Sequence, residues 1–148
     1  MGILAWALQT MEFPRHDAQN DPFAISQSLG FLMDGPSTIL DTPLLRPQSV
    51  LNSSRELMYA VHCRLRDVKR NPQRKDFSSW VNADDFAALN LGADRYVCEG
   101  DLAIQGRPAS AVDPRVLQTC DWIVTEQHRA TIWLKGEYQE YWQFSVDT

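Results

Sequence analysis

The chain has 148 residues, of which 44% are hydrophobic and 22% charged, and its formal net charge is −5. A chain of this length is the size of one ordinary domain and can bury a core without disulfides or metal, so one domain over residues 1–148 is expected. The acidic balance argues against a general nucleic-acid binder, which needs a basic surface to displace the counterions of phosphate.

The first third of the chain predicts two helices. Residues 2–11 predict a short helix that is apolar on nearly every side and ends before Pro14. Asp21 is a capping residue and Pro22 suits a first helical position, so a second helix is expected to begin there. Its shared apolar face is expected to hold Ile25, Leu29, Leu32 and Met33.

The middle of the chain predicts a loop over residues 41–53, with one short helical turn, followed by a long helix over residues 54–70. The apolar residues of this helix fall within an arc of about 100°, as expected for a face that packs on a core. They are Leu57, Met58, Val61, Leu65 and Val68. Residues 71–75 end the helix, and one or two short helices are expected over residues 77–89.

The last part predicts a hairpin and the longest helix. Residues 96–98 and 102–104 are short apolar strands separated by Glu-Gly-Asp, a turn sequence. Asp113 and Pro114 predict the start of the final helix and Gly136 its end. The aromatic tail, residues 138–148, is expected to dock on the core. The fold class is therefore mainly α: a compact helical domain with one small β-hairpin.

Two polar residues fall among apolar neighbours on the long helices. Gln127 lies in the apolar arc of the last helix, where an unpaired buried amide would cost about 1–3 kcal/mol, so it needs hydrogen-bond partners. Arg64 lies between apolar positions of the central helix. Its guanidinium either extends to the surface or meets a carboxylate, for which Glu126 and Asp147 are the first candidates.

Several basic residues lie close together in the sequence, and acidic residues interrupt them. The basic residues are Arg64, Arg66, Lys69, Arg70, Arg74 and Lys75. Because Glu56, Asp67 and Asp76 dilute them, a solvated helix end is favoured over a nucleic-acid site.

Glu126, His128 and Arg129 resemble an acid–base set in sequence but not in space. Successive helical residues point about 100° apart, so Glu126 and His128 diverge by about 200°. His62 could meet His128 or Glu126 only if the two long helices pack side by side. Two histidines and a glutamate are not diagnostic of a metal site, so no metal or other cofactor is expected. His16 is expected to be a solvated loop residue.

The three cysteines, Cys63, Cys98 and Cys120, are too widely spaced for a disulfide framework or a CxxC zinc pair. They are expected to be small buried hydrophobic residues in a reducing compartment.

The apolar segment at the start of the chain, residues 3–8, is far shorter than a membrane span and lacks the basic start of a signal peptide. A cytoplasmic protein that binds no membrane is expected.

Residues 126–134 read Glu-Gln-His-Arg-Ala-Thr-Ile-Trp-Leu and are followed by Gly136, Trp142 and a terminal Asp147-Thr148. This pattern resembles the C-terminal signature of a mainly bacterial family, number 4272 in the domain-of-unknown-function series. The family pattern is Glu-Arg-His-x-Ala-x-Asn-Trp-Leu, a glycine, and an aromatic tail ending in Asp-Thr. The resemblance implies a helical domain but no activity, because the function of the family is open.

The resemblance also covers the earlier part of the chain. Residues 4–8, with the sequence Leu-Ala-Trp-Ala-Leu, are similar to a helix in the middle of longer members, so the N-terminal portion of those members is expected to be missing here. Gln127 stands where the family has arginine, and Ile132 where it often has asparagine. If that arginine binds a ligand in relatives, this role is expected to be lost.

Two classes of function remain open on the sequence. The first is a non-catalytic interaction or accessory protein, similar to an antitoxin or immunity protein. The second is a small-ligand-binding or hydrolytic enzyme with a cleft between the two long helices. Its candidate residues are His62, Arg64, Arg66, Glu126, His128, Arg129 and Asp147. A pocket that holds several of them would favour the second class, and an exposed apolar patch the first.

The apolar first helix predicts association. One face of it can contact the chain's own core, and the remainder would expose Leu4, Trp6 and Leu8. A homodimer or a complex with another protein, sealed by these side chains, is therefore expected. The alternative is that the helix lies in a groove between the two long helices, wholly buried within one chain.

Overall fold

The computed structural model describes residues 1–31, 38–81, 83–92, 95–136 and 140–141. Within these residues the helices are α1 (Gly2–Ala7), α2 (Pro22–Ser28), α3 (Thr38–Asp41), α4 (Gln48–Arg70), α5 (Ala83–Ala88) and α6 (Pro114–Leu134). The strands are β1 (Val97–Cys98), β2 (Asp101–Ile104) and β3 (Arg107–Pro108), and short 3-10 turns span Phe77–Ser79 and Ala109–Ala111. The predicted mainly α class with a small β-hairpin is confirmed.

The central helix α4 buries its predicted apolar face but begins earlier than predicted. All five residues of that face are buried, and the helix ends at Arg70, as expected. It begins at Gln48 rather than at residue 54, because the Asn-Ser-Ser sequence is not a cap. Ser54 lies inside the helix, where its buried hydroxyl donates to the backbone oxygen of Leu51 at 2.7 Å. The helix starts directly after Pro47, whose ring is compatible with a helix N-terminus.

The first helix is enclosed by the chain itself. Trp6 is 2% exposed, and its ring meets Phe13 edge-on, with the ring centroids 4.8 Å apart. The guanidinium of Arg46 lies 5.0 Å from the Trp6 ring centroid, and its Nε donates to the backbone oxygen of Trp6 at 2.8 Å. The prediction that Trp6 seals an association interface is therefore wrong, because its surface is already used in the core. Leu4 and Leu8 are half-buried.

Helix α2 begins as predicted, since the Asp21 carboxylate accepts a hydrogen bond from the Phe23 backbone N–H at 2.9 Å. Of its predicted face, Ile25 and Leu29 are buried, with Ala5 beside them. Leu32 and Met33 lie outside the described residues. So does most of the tail, including Asp147-Thr148, although Tyr141 is described and packs against the main core.

The hairpin is present, and a third strand follows it. Strand β2 pairs antiparallel with β1 on one side and with β3 on the other. Each connection is a two-residue turn, Glu99-Gly100 and Gln105-Gly106, and all four of these residues have positive φ. Two-residue turns of type I′ require this conformation, and glycine adopts it without strain. The second turn places β3 beside β2 and buries Pro108.

Helix α6 forms with the predicted boundaries. The Asp113 carboxylate caps its first turn by accepting from the Arg115 backbone N–H at 2.8 Å. Gly136, with φ of 80°, follows its last turn, and its N–H donates to the backbone oxygen of Trp133. The long helices α4 and α6 supply much of the core, and α1, α2 and the sheet pack around them.

Candidate functional site

The long helices α4 and α6 run antiparallel and in direct contact. His62 on α4 contacts His128 on α6, whereas Lys69, later on α4, pairs with Asp121, earlier on α6. This is the side-by-side packing that a meeting of His62 and His128 requires. Around these two histidines the helices pack directly on each other as a closed seam. A cleft of about 460 Å³ does lie between the end of α4 and the start of α6, but none of the predicted site residues lines it.

The histidine pair lies at the centre of this seam. The Nδ1 atoms of His62 and His128 are 3.1 Å apart, so one ring donates and the other accepts. The Nε2 atom of His62 is 3.4 Å from the Thr125 hydroxyl and 3.9 Å from the Asp121 carboxylate. Both imidazoles are 2% exposed. A proton can move between the two rings, but a substrate outside the protein has no access to either one.

Burial lowers the pKa of His62 below its ordinary value of 6.5. The carboxylate of Asp121 opposes this shift, while the nearby cations of Arg66 and Lys69 add to it. His62 is therefore neutral near pH 7. A neutral His62 that is hydrogen-bonded to an equally enclosed His128 is an element of the core rather than an acid–base catalyst.

Arg64 is fully buried and does not extend to the surface. Its guanidinium binds Asp101 in a two-pronged arrangement, with Nε 2.8 Å from Oδ1 and Nη2 3.0 Å from Oδ2. Nη1 donates to Asp67 at 2.7 Å and Nη2 to the backbone oxygen of Gln73 at 2.8 Å. Of the two predicted outcomes, the carboxylate partner is the one observed. The choice of Glu126 as that partner was wrong, because Glu126 lies on the outer face of α6.

Asp101 joins the hairpin to α4. Besides the guanidinium of Arg64, its carboxylate accepts from the backbone N–H groups of Leu102 and Ser110. Burial by itself would raise the pKa of Asp101, but the hydrogen bonds from Arg64 and Ser110 outweigh it and hold the pKa below the usual value. The Asp101 carboxylate is therefore ionised, and its ion pair with Arg64 is fully enclosed.

The basic residues of the central region are largely neutralised by neighbouring carboxylates. Lys69 pairs with Asp121, Lys75 with Asp67 and Arg74 with Glu99. Arg64 belongs to the core network, which corrects its assignment to a solvated helix end. The remaining charged side chains of residues 64–75, all of which the structure describes, are of both signs and form no continuous basic strip.

Gln127 is buried and obtains one hydrogen bond. Its Nε2 donates to the backbone oxygen of Arg15 at 2.8 Å, which confirms that this amide needs a partner. Its Oε1 accepts no hydrogen bond from any described residue. Gln127 lines a cleft of about 340 Å³ between α1, α2 and α6, together with Gly2, Asn20 and Glu126.

The remaining predicted site residues that the structure describes do not converge. Glu126 is exposed and pairs with Arg129 on its own helix, and the Tyr141 hydroxyl lies 3.3 Å from its Oε2. Arg66 is half-buried near His62. Asp147 lies outside the described residues. As predicted, Glu126 and His128 point in different directions, one to the surface and the other into the core.

His16 is buried, and the prediction that it is solvated was wrong. It is 1% exposed, its Nε2 donates to the backbone oxygen of Ala103 at 2.7 Å, and its ring stacks on Tyr96 with centroids 4.6 Å apart. Burial lowers the pKa of His16, against the opposing charge of Asp17. This burial was not predictable from the sequence, because His16 lies in a short polar segment that has neither helix nor strand periodicity.

Lowering the pH from about 7.5 to about 5.5 is expected to destabilise the fold, because the unfolded state then binds protons at His16 and His62 that the folded state resists. Each of these histidines has a lower pKa in the folded state than in the unfolded state. The loss of stability therefore begins as the pH falls below the ordinary histidine pKa of about 6.5, and for each histidine it is at most about 1.4 kcal/mol per pH unit. The charged groups around His16 are Asp17, Arg95 and Arg15, and those around His62 are Asp121, Arg66 and Lys69. The imidazole of His128 also faces His62.

Urea unfolding at both pH values measures this loss, and His62→Gln serves as the matched variant with a smaller pH dependence. Asp17 and Asp101, whose folded pKa values are lowered, affect stability only in more acidic solution. An equal or larger free energy of unfolding at about pH 5.5 would contradict the burial of these two imidazoles.

The outer face of α6 carries a feature that the sequence reasoning missed. Trp122 is 66% exposed and Trp133 38% exposed on this helix. This exposure could have been predicted from the sequence, because Trp122 and Trp133 both fall outside the apolar arc of the last helix. Large aromatic side chains on the solvent side of a regular helix are typical of binding surfaces.

The three cysteines are free. Cys120 is buried, and burial raises the pKa of its thiol to about 11. Cys63 and Cys98 are half-exposed, which corrects their assignment to the core.

Among the described residues, no three His, Cys, Asp or Glu side chains come together in a way that could hold a metal ion. No helix in the same residues has the length and apolar character needed to cross a bilayer.

Comparison with known proteins returns no match: no family model, no curated protein and no solved structure corresponds to this chain.

Proposed function

We propose that the chain is a non-catalytic interaction protein, of the accessory, antitoxin or immunity class, which binds a protein partner through the outer face of α6. The observation that carries this proposal is the 66% exposure of Trp122 near the middle of a regular helix of 21 residues. Tryptophan is the residue most often found at the energetic centre of protein interfaces. Exposed on a rigid helix, it requires little ordering before it binds.

The positions of the other polar side chains also support a binding role rather than a catalytic one. His62, His128 and Arg64 are enclosed in the core and satisfy one another or nearby carboxylates. Catalysis requires a titratable group within hydrogen-bond reach of a substrate. Glu126 and Arg129, which are accessible, form an ion pair on the surface beside Trp122. They are placed to orient a partner rather than to act on a substrate.

A second candidate function is small-ligand binding in the cleft beside Gln127. Its volume of about 340 Å³ is at the lower end for ligand sites, which begin at about 300 Å³. The Gln127 Oε1 and the Glu126 carboxylate are both acceptors, so a ligand with N–H donors, such as a guanidinium or a primary amine, would suit it. Binding of such a fragment, abolished by Gln127→Leu, would favour this alternative.

Site-specific photo-crosslinking tests the interaction function. We expect that benzoylphenylalanine at position 122, in the full chain expressed in its native cells, forms an adduct of defined mass. The same photoreactive residue at position 105, in the exposed turn between β2 and β3 and outside α6, is the control and should form none. Mass spectrometry identifies the partner.

Purified components then complete the test. Trp122→Glu is expected to raise the Kd of the identified complex by at least about tenfold, because loss of a central tryptophan costs about 2 kcal/mol or more. The absence of a specific adduct from position 122 would contradict the proposal. So would an identified complex whose Kd does not change in the Trp122→Glu variant.

A further inference from the structure

Four residues define the outer face of α6: Trp122, Glu126, Arg129 and Trp133. At 3.6 residues per turn they fall within about 60° around the helix axis. Trp122, Glu126 and Trp133 are exposed and Arg129 is half-buried. The face therefore presents a single stripe, with an aromatic residue at each end and an acid and a base between them.

The order of these residues has an internal symmetry. The midpoint between Trp122 and Trp133 along the helix lies between residues 127 and 128, and so does the midpoint between Glu126 and Arg129. A two-fold axis perpendicular to α6 at that point exchanges the two tryptophans and exchanges the acid with the base. A face with this property is complementary to itself, which is the requirement for an isologous dimer interface.

We infer that the outer face of α6 binds a second copy of this chain, with the two α6 helices antiparallel. This inference rests on the proposed interaction function and names its partner. Trp122 of each copy packs against Trp133 of the other, and Glu126 of each lies beside Arg129 of the other. The ion pair that Glu126 and Arg129 already form within one chain becomes part of a group of four charges of alternating sign.

Two further features of the chain bear on this association. Tyr141 packs edge-on against Trp133, with ring centroids 6.3 Å apart, and its hydroxyl reaches Glu126. The stripe is thus partly ordered before association. The net charge of −5 opposes association only weakly in physiological salt, where charges are screened over about 8 Å.

The contact of one helix pair is at the low end of interface sizes, below about 1,200 Å², so the dimer is weak and reversible, with a Kd in the micromolar range. Sedimentation velocity of the full chain over about 5 to 500 µM should show a monomer converting to a dimer. Trp122→Glu should remain monomeric over this range. Phe23→Glu is the matched control, since Phe23 is 63% exposed on α2, and it should dimerise like the native chain.

The charge pattern provides a test that a folding defect cannot imitate. Glu126→Arg leaves two bases on the stripe and Arg129→Glu leaves two acids, so each variant alone should be monomeric. Mixed together they should form a heterodimer, because every inter-chain pair then joins opposite charges. Far-ultraviolet circular dichroism checks that both variants fold.

A native chain that stays monomeric over the whole concentration range would overturn the inference. So would a dimer that Trp122→Glu leaves intact, or two charge variants that do not associate when mixed. A specific adduct from position 122 to a different protein, with no self-association, would overturn the dimer and leave the proposed interaction function standing.

Discussion

Asp101→Ala is expected to lower the free energy of unfolding by about 3–5 kcal/mol, because it leaves the Arg64 charge buried without its main partner. Asp101 and Arg64 are both fully buried, and two of the guanidinium nitrogens bind the carboxylate. The substitution also removes the acceptor of the Leu102 and Ser110 N–H groups. Urea unfolding monitored by circular dichroism measures the loss.

Asp67→Ala is the matched control, since it removes the other carboxylate of the same arginine at a position where the side chain is 24% exposed. It is expected to cost about 1 kcal/mol or less, as partly exposed ion pairs do. The double substitution Arg64→Met with Asp101→Leu should recover much of the loss, because it removes both charges from the core. Equal losses from Asp101→Ala and Asp67→Ala would contradict the structural role of this ion pair.

Trp6→Ala is expected to destabilise the chain by about 3–5 kcal/mol, the usual cost of removing a large aromatic side chain from a core. The ring is 2% exposed and contacts Phe13 and the Arg46 guanidinium within one chain. The same unfolding measurement on Trp122→Ala provides the comparison. Trp122 is 66% exposed, so its removal should change stability by no more than about 0.5 kcal/mol.

The two tryptophans therefore separate folding from association. Trp6→Ala should weaken the fold without a specific effect on the dimer, and Trp122→Glu should abolish the dimer without weakening the fold. If Trp6→Ala left stability unchanged and dissociated the dimer, the sequence-based assignment of Trp6 to an interface would be right and the core assignment wrong.

The predictions that succeeded depend on periodicity and capping, which are local properties. The apolar face of α4, the Asp113 cap of α6 and the Glu99-Gly100 turn are set by residues within one or two helical turns of one another. The start of α4 was misplaced because serine and asparagine favour caps but are also tolerated within a helix. Ser54 does so by bonding to the backbone of the preceding turn.

The predictions that failed depend on contacts between distant segments. The sequence indicated that Arg64 needs a carboxylate, but Asp101 is 37 residues away and occupies a position that resembles an ordinary turn. His16 is buried only because β2, 87 residues later, supplies the carbonyl of Ala103. The residue pattern alone did not indicate β3, because this strand is only two residues long and one of them is a proline, which cannot donate to a strand pairing.

The same distinction applies to the candidate site. Burial of Trp6 and exposure of Trp122 are both decided by how α1 and α6 pack, and hydrophobicity alone gives tryptophan no preference between these two roles. The divergence of Glu126 and His128 was predictable, because it follows from helix geometry within one segment. The contact between His62 and His128 was not predictable in this way, because it depends on how two helices pair.

The central claim is that His62, Arg64 and His128 on the long helices belong to the core and do not form an open site. Carbethoxylation by diethyl pyrocarbonate, read by mass spectrometry, tests it most directly, since this reagent modifies neutral imidazoles that contact solvent. The chain has three histidines, and each is 2% exposed or less. The folded protein should therefore remain unmodified at His16, His62 and His128, while the urea-unfolded protein is modified at all three. Modification of His62 or His128 in the folded protein at the rate of free N-acetylhistidine would contradict the account.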